Sequence, residues 1–160
     1  MSTIYDVPQS LRHFLDEHDA RYEIIPHQRD YSAQRTAADT FTPGREFAKC
    51  VLLWIDNYYA LAVLPADHMI DFEKLREVLG ASEAGLARED EIRRIFPDCE
   101  VGAEPPFGNL YGLPVYVAQQ LTEDPYITFN AGTHEEAIRM NYQEFASLVE
   151  PMTVDFACKS

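Results

Sequence analysis

Lys49 stands near the start of the apolar run Phe47 to Ala66, FAKCVLLWIDNYYALAVLPA. Lysine is seldom buried without a partner, so its ammonium either reaches water at a strand end or lines a cavity with a partner. From this stretch alone the strand-edge reading is the plainer one, and the cavity reading would make Lys49 the one cation on an apolar strand face. The second candidate is Gly102 to Gly112, which carries Gly102, Pro105, Pro106, Gly108 and Gly112. Glycine permits close backbone approach and proline removes a donor, so such a loop can aim N–H and C=O groups at a ligand. The alternative is a plain surface crossing between a helix and a strand. Two other chemistries have less behind them. Cys50 alternates to the strand face opposite Lys49, and free cysteines commonly serve as buried apolar residues. His27, His68 and His134 lack the local spacing of a zinc site, so no metal is expected.

The elements around these residues follow from pattern. Phe47 to Ala66 reads as two strands joined by Asp56-Asn57, a two-residue hairpin connection. Ile55 then faces Tyr58, Leu53 faces Ala60, Val51 faces Ala62, and Lys49 faces Leu64. Phe47, Lys49, Val51, Leu53 and Ile55 share one face, and Cys50, Leu52 and Trp54 the other. Both faces are apolar, which predicts a central hairpin covered on both sides. Upstream, Pro8 opens a helix carrying Leu11, Phe14 and Leu15, and Arg21 to Pro26 forms a short strand. Ser32 caps a helix through Ala33, Ala37 and Ala38. Downstream, Asp71 caps a helix closed by Gly80, and residues 88 to 96 form another before Pro97. Leu113 to Leu121, Tyr126 to Asn130, and a segment with Ile138 and Met140 read as strands. Asn141 with Glu144 starts a last helix, which Pro151 stops. Strands and helices do not alternate strictly, so the expected class is α+β with a mixed sheet.

A length of 160 residues suits a single domain, residues 1–160, with 46% apolar and 12% aromatic residues marking it as globular. No apolar stretch is long enough to span a membrane. MSTIYDVPQS lacks the basic and apolar regions of a signal peptide, and three cysteines without metal spacing fit a reducing cytoplasm. A net charge of −14 opposes broad nucleic-acid contact, because phosphate binding depends on cations. The charge is uneven. Residues 71–100 hold nine acids against five bases, whereas residues 24–49 hold four bases against three acids and lead into Lys49.

Four segments carry a resemblance: FAKCVLL, LAVLPADHMIDFEKL, FPDCEVGAEPPFGNLYGLPVYV and FNAGTHEEAIRM. Over about residues 20 to 150 the chain resembles the YbaK family, aminoacyl-tRNA deacylases related to the editing domain of bacterial prolyl-tRNA synthetase. The resemblance implies a mixed, largely antiparallel, partly barrel-like sheet surrounded by helices, with no cofactor. Lys49 matches the family's essential lysine, and Gly102 and Pro106 match its Gly-x-x-x-Pro motif, so these three are the implied catalytic positions. Ala103, Phe107, Gly108 and Gly132 are the implied substrate-binding positions. The implied substrate is the acceptor end of a mischarged tRNA, with an aminoacyl-tRNA synthetase as a further partner and neither DNA nor membrane. His27, Tyr31 and His134 are left outside the site. The rival reading is a non-catalytic module of the same fold that recognises a tRNA end, a nucleotide or a protein.

Overall fold

The computed structural model describes residues 7–30, 32–40 and 42–159. Tyr31, named above beside the site, lies outside the described residues. Helix α1 (Gln9–Glu17) starts after Pro8 and buries Leu11 and Leu15. Strand β1 (Tyr22–Pro26) follows, then α2 (Ala33–Asp39), where the Ser32 hydroxyl accepts the Arg35 N–H at 3.0 Å. The central hairpin is β2 (Phe47–Ile55) and β3 (Tyr58–Pro65). Its register is the expected one, with Ile55 opposite Tyr58 and Lys49 opposite Leu64. Asp56 supplies the positive φ of 50° that so tight a turn requires.

Strand β4 (His68–Ile70) precedes α3 (Phe72–Leu79), whose first turn is capped by Asp71 and whose end passes through left-handed Gly80. Then come β5 (Ala84–Leu86), α4 (Glu89–Ile95), the glycine- and proline-rich loop, and β6 (Val115–Ala118). The strand expected over Leu113 to Leu121 is shorter than that, because Gln119–Glu123 coils into a 3-10 turn that buries Leu121. Strands β7 (Tyr126–Asn130) and β8 (Glu136–Asn141) lead into α5 (Tyr142–Val149), capped by Asn141. Two strands close the chain, β9 (Met152–Val154) and β10 (Ala157–Lys159). Strands β4, β5, β9 and β10 were not expected. Three residues are too few for alternation to distinguish a strand from a loop.

The main sheet runs β1-β8-β7-β2-β3-β6-β9, with β5 added to β2, and β4 pairs separately with β10. Pairs β1–β8, β7–β8, β2–β3, β2–β5 and β4–β10 are antiparallel, while β2–β7, β3–β6 and β6–β9 are parallel. The sheet is therefore mixed, with helices on both sides. One face carries Ala48, Leu52, Phe129 and Ile138 against Leu11 and Leu15 of α1 and Phe145 of α5. The other face is divided. Phe47, Ala66 and Ala137 meet Ala37 of α2. Leu53, Ala62 and Leu64 meet Leu75 of α3 and Phe156 beside β10. Lys49 lies between those two clusters, two residues from Phe47 and two from Val51.

Candidate active site

The sheet splits beside Lys49. β2 meets β7 only through the Phe47–Thr128 and Ala48–Phe129 pairs, and it meets β5 only from Leu53 onward. The Leu52 carbonyl is taken by the Ala87 N–H at 3.0 Å. Lys49 to Val51 therefore present an edge with no strand partner among the described residues. β2 and β7 are parallel and part toward their carboxyl ends, the place where open sheets receive ligands. The Lys49 side chain is half-buried. Burial holds its ammonium below the ordinary lysine range, and the Asp67 carboxylate works against that shift. No described carboxylate is close enough to form an ion pair with it.

The glycine loop is tied to the segment that follows β7. The Gly132 N–H donates to the Ala103 carbonyl at 2.8 Å, and the Glu100 N–H donates to the Gly132 carbonyl at 2.8 Å. His134 Nε2 bonds the Val101 carbonyl at 2.8 Å; a carbonyl only accepts, so this nitrogen carries a proton. The His134 ring lies against Gly102, whose φ is +90°, and a Cβ there would come within 3.3 Å of His134 Cε1. Arg29 ties the two loops together by pairing with Glu100 and, at 3.3 Å, with Glu135. Burial works to raise the Glu100 carboxyl, but Arg29 and the His134 N–H outweigh it and hold it low. A cleft of about 620 Å³ opens along this clasp, lined by Arg29, Arg93, Cys99, Glu100, Val101 and His134 among others.

Gly102, Ala103, Gly132 and His134 are thus brought together. Pro106 is buried within the same loop. Phe107 is fully buried among Phe14, Phe129 and Phe145, with ring centroids 5.6 to 6.0 Å away, so it anchors the loop in the aromatic core. A Cβ on Gly108 would approach Val115 Cγ2 to 2.6 Å, and one on Gly132 would approach Pro8 to 2.5 Å. Those two glycines serve close packing. No hydrogen bond or ion pair joins Lys49 to the loop among the described residues. The loop's buried members stand on the Cys50 side of β2.

Glu104, Thr128 and Asn130 were not singled out from sequence. Glu104 is 4% exposed, and its carboxylate accepts the Gly102 N–H at 2.8 Å. Burial raises its pKa, and that backbone bond only partly offsets the rise. A carboxyl raised on folding takes up protons, so this group's contribution to stability falls as pH climbs from its unfolded toward its folded value. Glu104→Gln should keep the acceptor for Gly102 and flatten that part of the stability–pH curve. Denaturant midpoints from acid to neutral pH for both proteins measure it, and parallel curves would contradict it. Thr128 Oγ1 and Asn130 Oδ1 are buried with no hydrogen-bond partner among the described residues. His27 Nδ1 meets the Gln28 carbonyl at 2.7 Å, and its buried Nε2 likewise has no described partner. The thiols of Cys50 and Cys99 are held toward their neutral form. Burial pushes Cys99 up to about 12 and raises Cys50 well above its usual value, Glu104 adding to the latter.

The architecture recurs in solved structures. A candidate trans-editing enzyme for prolyl tRNA synthetase superposes with a TM-score of 0.83 at 18% identity, covering 99% of each chain. A hypothetical protein gives 0.82 at 15% identity over 94% of this chain and 100% of that one. A candidate signal transduction protein from Marinobacter aquaeolei VT8 gives 0.72 at 20% identity, over 95% of this chain and 31% of that one. These likenesses define the class, a mixed α/β domain of the YbaK-like fold. Residues 27–148 match the sequence profile of the aminoacyl-tRNA editing domain, and the chain belongs to that family. No protein of curated function matches the chain in sequence. No helix among the described residues is long and apolar enough to cross a membrane.

Proposed function

We propose that the chain, acting as one domain in the cytoplasm, is a trans-editing aminoacyl-tRNA deacylase. The observation that carries this is a half-buried lysine, with no ion pair from a described residue, at the parting of two parallel strands in a chain of the editing family. The reaction is hydrolysis of the ester between a wrong amino acid and the terminal adenosine of tRNA. Water adds to the ester carbonyl, the tetrahedral intermediate collapses, and the ribose oxygen leaves with a proton. An aminoacyl ester is already activated, so positioning and charge stabilisation suffice and no protein nucleophile is needed. Lys49 receives a phosphate of the acceptor end or the negative charge developing on the reacting oxygen. Backbone groups of Gly102 and Ala103 orient the aminoacyl end and the water. Pro106 holds the loop's path, Phe107 and Gly108 anchor it, and Gly132 ties it to β7.

The partner is the acceptor end of a mischarged tRNA, with a synthetase as a second partner and no role for DNA or membranes. The net charge of −14 favours one rival, a module of this fold that binds a tRNA end, nucleotide or protein without catalysis. A panel of tRNAs charged with Ala, Ser, Thr, Cys and Pro separates the two. Release of amino acid above the spontaneous rate supports the deacylase, and retained binding without release supports the module. The charge also predicts weak affinity for free tRNA through very few phosphate contacts. The logarithm of the binding constant should fall only shallowly with the logarithm of salt, the slope counting phosphates neutralised. A slope matching six or more contacts, on the order of −5, would contradict it.

A further inference from the structure

Thr128 is opposite Phe47 in the parallel pairing, so the two share a sheet face. Two residues on, Asn130 and Lys49 keep that face, and they would be register partners had the strands stayed paired. Asn130 is 9% exposed and Thr128 1% exposed. Neither Asn130 Oδ1 nor Thr128 Oγ1 has a hydrogen-bond partner among the described residues. Around Asn130 this face is apolar, with Ala137 as its register partner and Phe47, Ala66 and Ala37 in the same cluster, while Thr128 is opposite Arg139, whose guanidinium stacks on Tyr126. An acceptor left unpaired in such surroundings costs stability, which is why buried polar side chains in folded proteins are nearly always satisfied. A carboxamide at the mouth of a split sheet, beside a lysine with no ion pair from a described residue, marks a place where a ligand supplies the missing donor.

The chemistry of that donor can be narrowed. Lys49 makes the same face unfavourable for a second cation, which disfavours the α-ammonium of the aminoacyl group. A neutral O–H donor fits. Every ester on a terminal ribose has one, the free hydroxyl on the adjoining carbon. Resting on the deacylase reading above, we infer that Asn130, with Thr128 beside it, is a specificity-determining residue that accepts a hydrogen bond from this sugar hydroxyl. The pocket then distinguishes ribose from deoxyribose at the terminal nucleotide. It sets the ester against Lys49.

The test is a cycle between protein and substrate. Aminoacylated RNA microhelices ending in adenosine or in 2′-deoxyadenosine, both esterified on the 3′ oxygen, are given to wild-type protein and to Asn130→Ala. Wild type is expected to prefer the ribose substrate by about tenfold in kcat/KM, the scale of one hydrogen bond. Asn130→Ala should lose about tenfold on the ribose substrate, nothing further on the deoxy one, and so lose the preference. Its Tm should hold or rise, because an unpaired buried polar atom has gone. Should Asn130→Ala not fold, Asn130→Ser carries the same measurement. An unchanged ribose preference in the folded variant, or no preference in wild type, would overturn the assignment. If wild type hydrolyses neither substrate, the deacylase reading fails. Binding of the uncharged microhelices then decides this one: a ribose preference that vanishes in the variant upholds it, and equal affinities overturn it.

Discussion

Lys49→Ala should slow single-turnover deacylation by roughly two orders of magnitude or more, the loss expected when a contact to transition-state charge disappears. Stability should hold or rise. The ammonium is half-buried with no ion pair from a described residue, so its removal relieves a desolvation cost. The pH dependence has a definite sign. Burial lowers the Lys49 pKa on folding, so between the folded and unfolded values the unfolded chain binds more protons. Wild-type stability therefore gains with rising pH in that window, and Lys49→Ala removes the gain. Turnover moves the other way, because the charged form is the useful one and is lost as pH climbs through the lowered value. Lys49→Arg should rescue only in part, since the planar guanidinium is larger and places its charge elsewhere. Single-turnover rates beside thermal melts measure all of this. Near-wild-type turnover by Lys49→Ala would make the lysine a strand-edge residue, whose substitution ordinarily shifts stability by no more than about 0.5 kcal/mol.

Gly102→Val should leave the protein folded and lower turnover by about tenfold or more, the scale of a displaced positioning group. Gly102 has a φ of +90°, a region that a β-branched residue avoids at a cost of about 1–3 kcal/mol. That is tolerable against a typical stability of about 5–15 kcal/mol. The loop cannot relax freely, because a Cβ would press on His134, whose ring is held by the Val101 carbonyl. The added branch also occupies space the substrate backbone would use. Circular dichroism establishes the fold of the variant, and the deacylation rate then decides. Unchanged turnover in a folded Gly102→Val would take the loop out of the mechanism.

Pattern alone carried the central hairpin, its register and the face assigned to Lys49, because two-residue turn chemistry and period-two alternation are local properties of the chain. The capping residues Ser32, Asp71 and Asn141 were legible for the same reason: each hydrogen-bonds an N–H three residues on. The short strands β4, β5, β9 and β10 were not legible, since they exist only by pairing with distant partners. The site divides along the same line. Lys49 announced itself as a charge in an apolar run, and Gly102 to Gly112 by its glycines and prolines. That β2 and β7 are parallel and part after two residue pairs depends on residues 81 positions apart in sequence, and no local signal encodes it. Asn130 and Thr128 look like ordinary strand residues in the sequence, and only the fold shows their oxygens buried with no partner among the described residues. Glu104 looked like one more surface acid in an acidic chain. Burial and unmet hydrogen bonds are properties of the assembled core, which is why tertiary structure alone could reveal them.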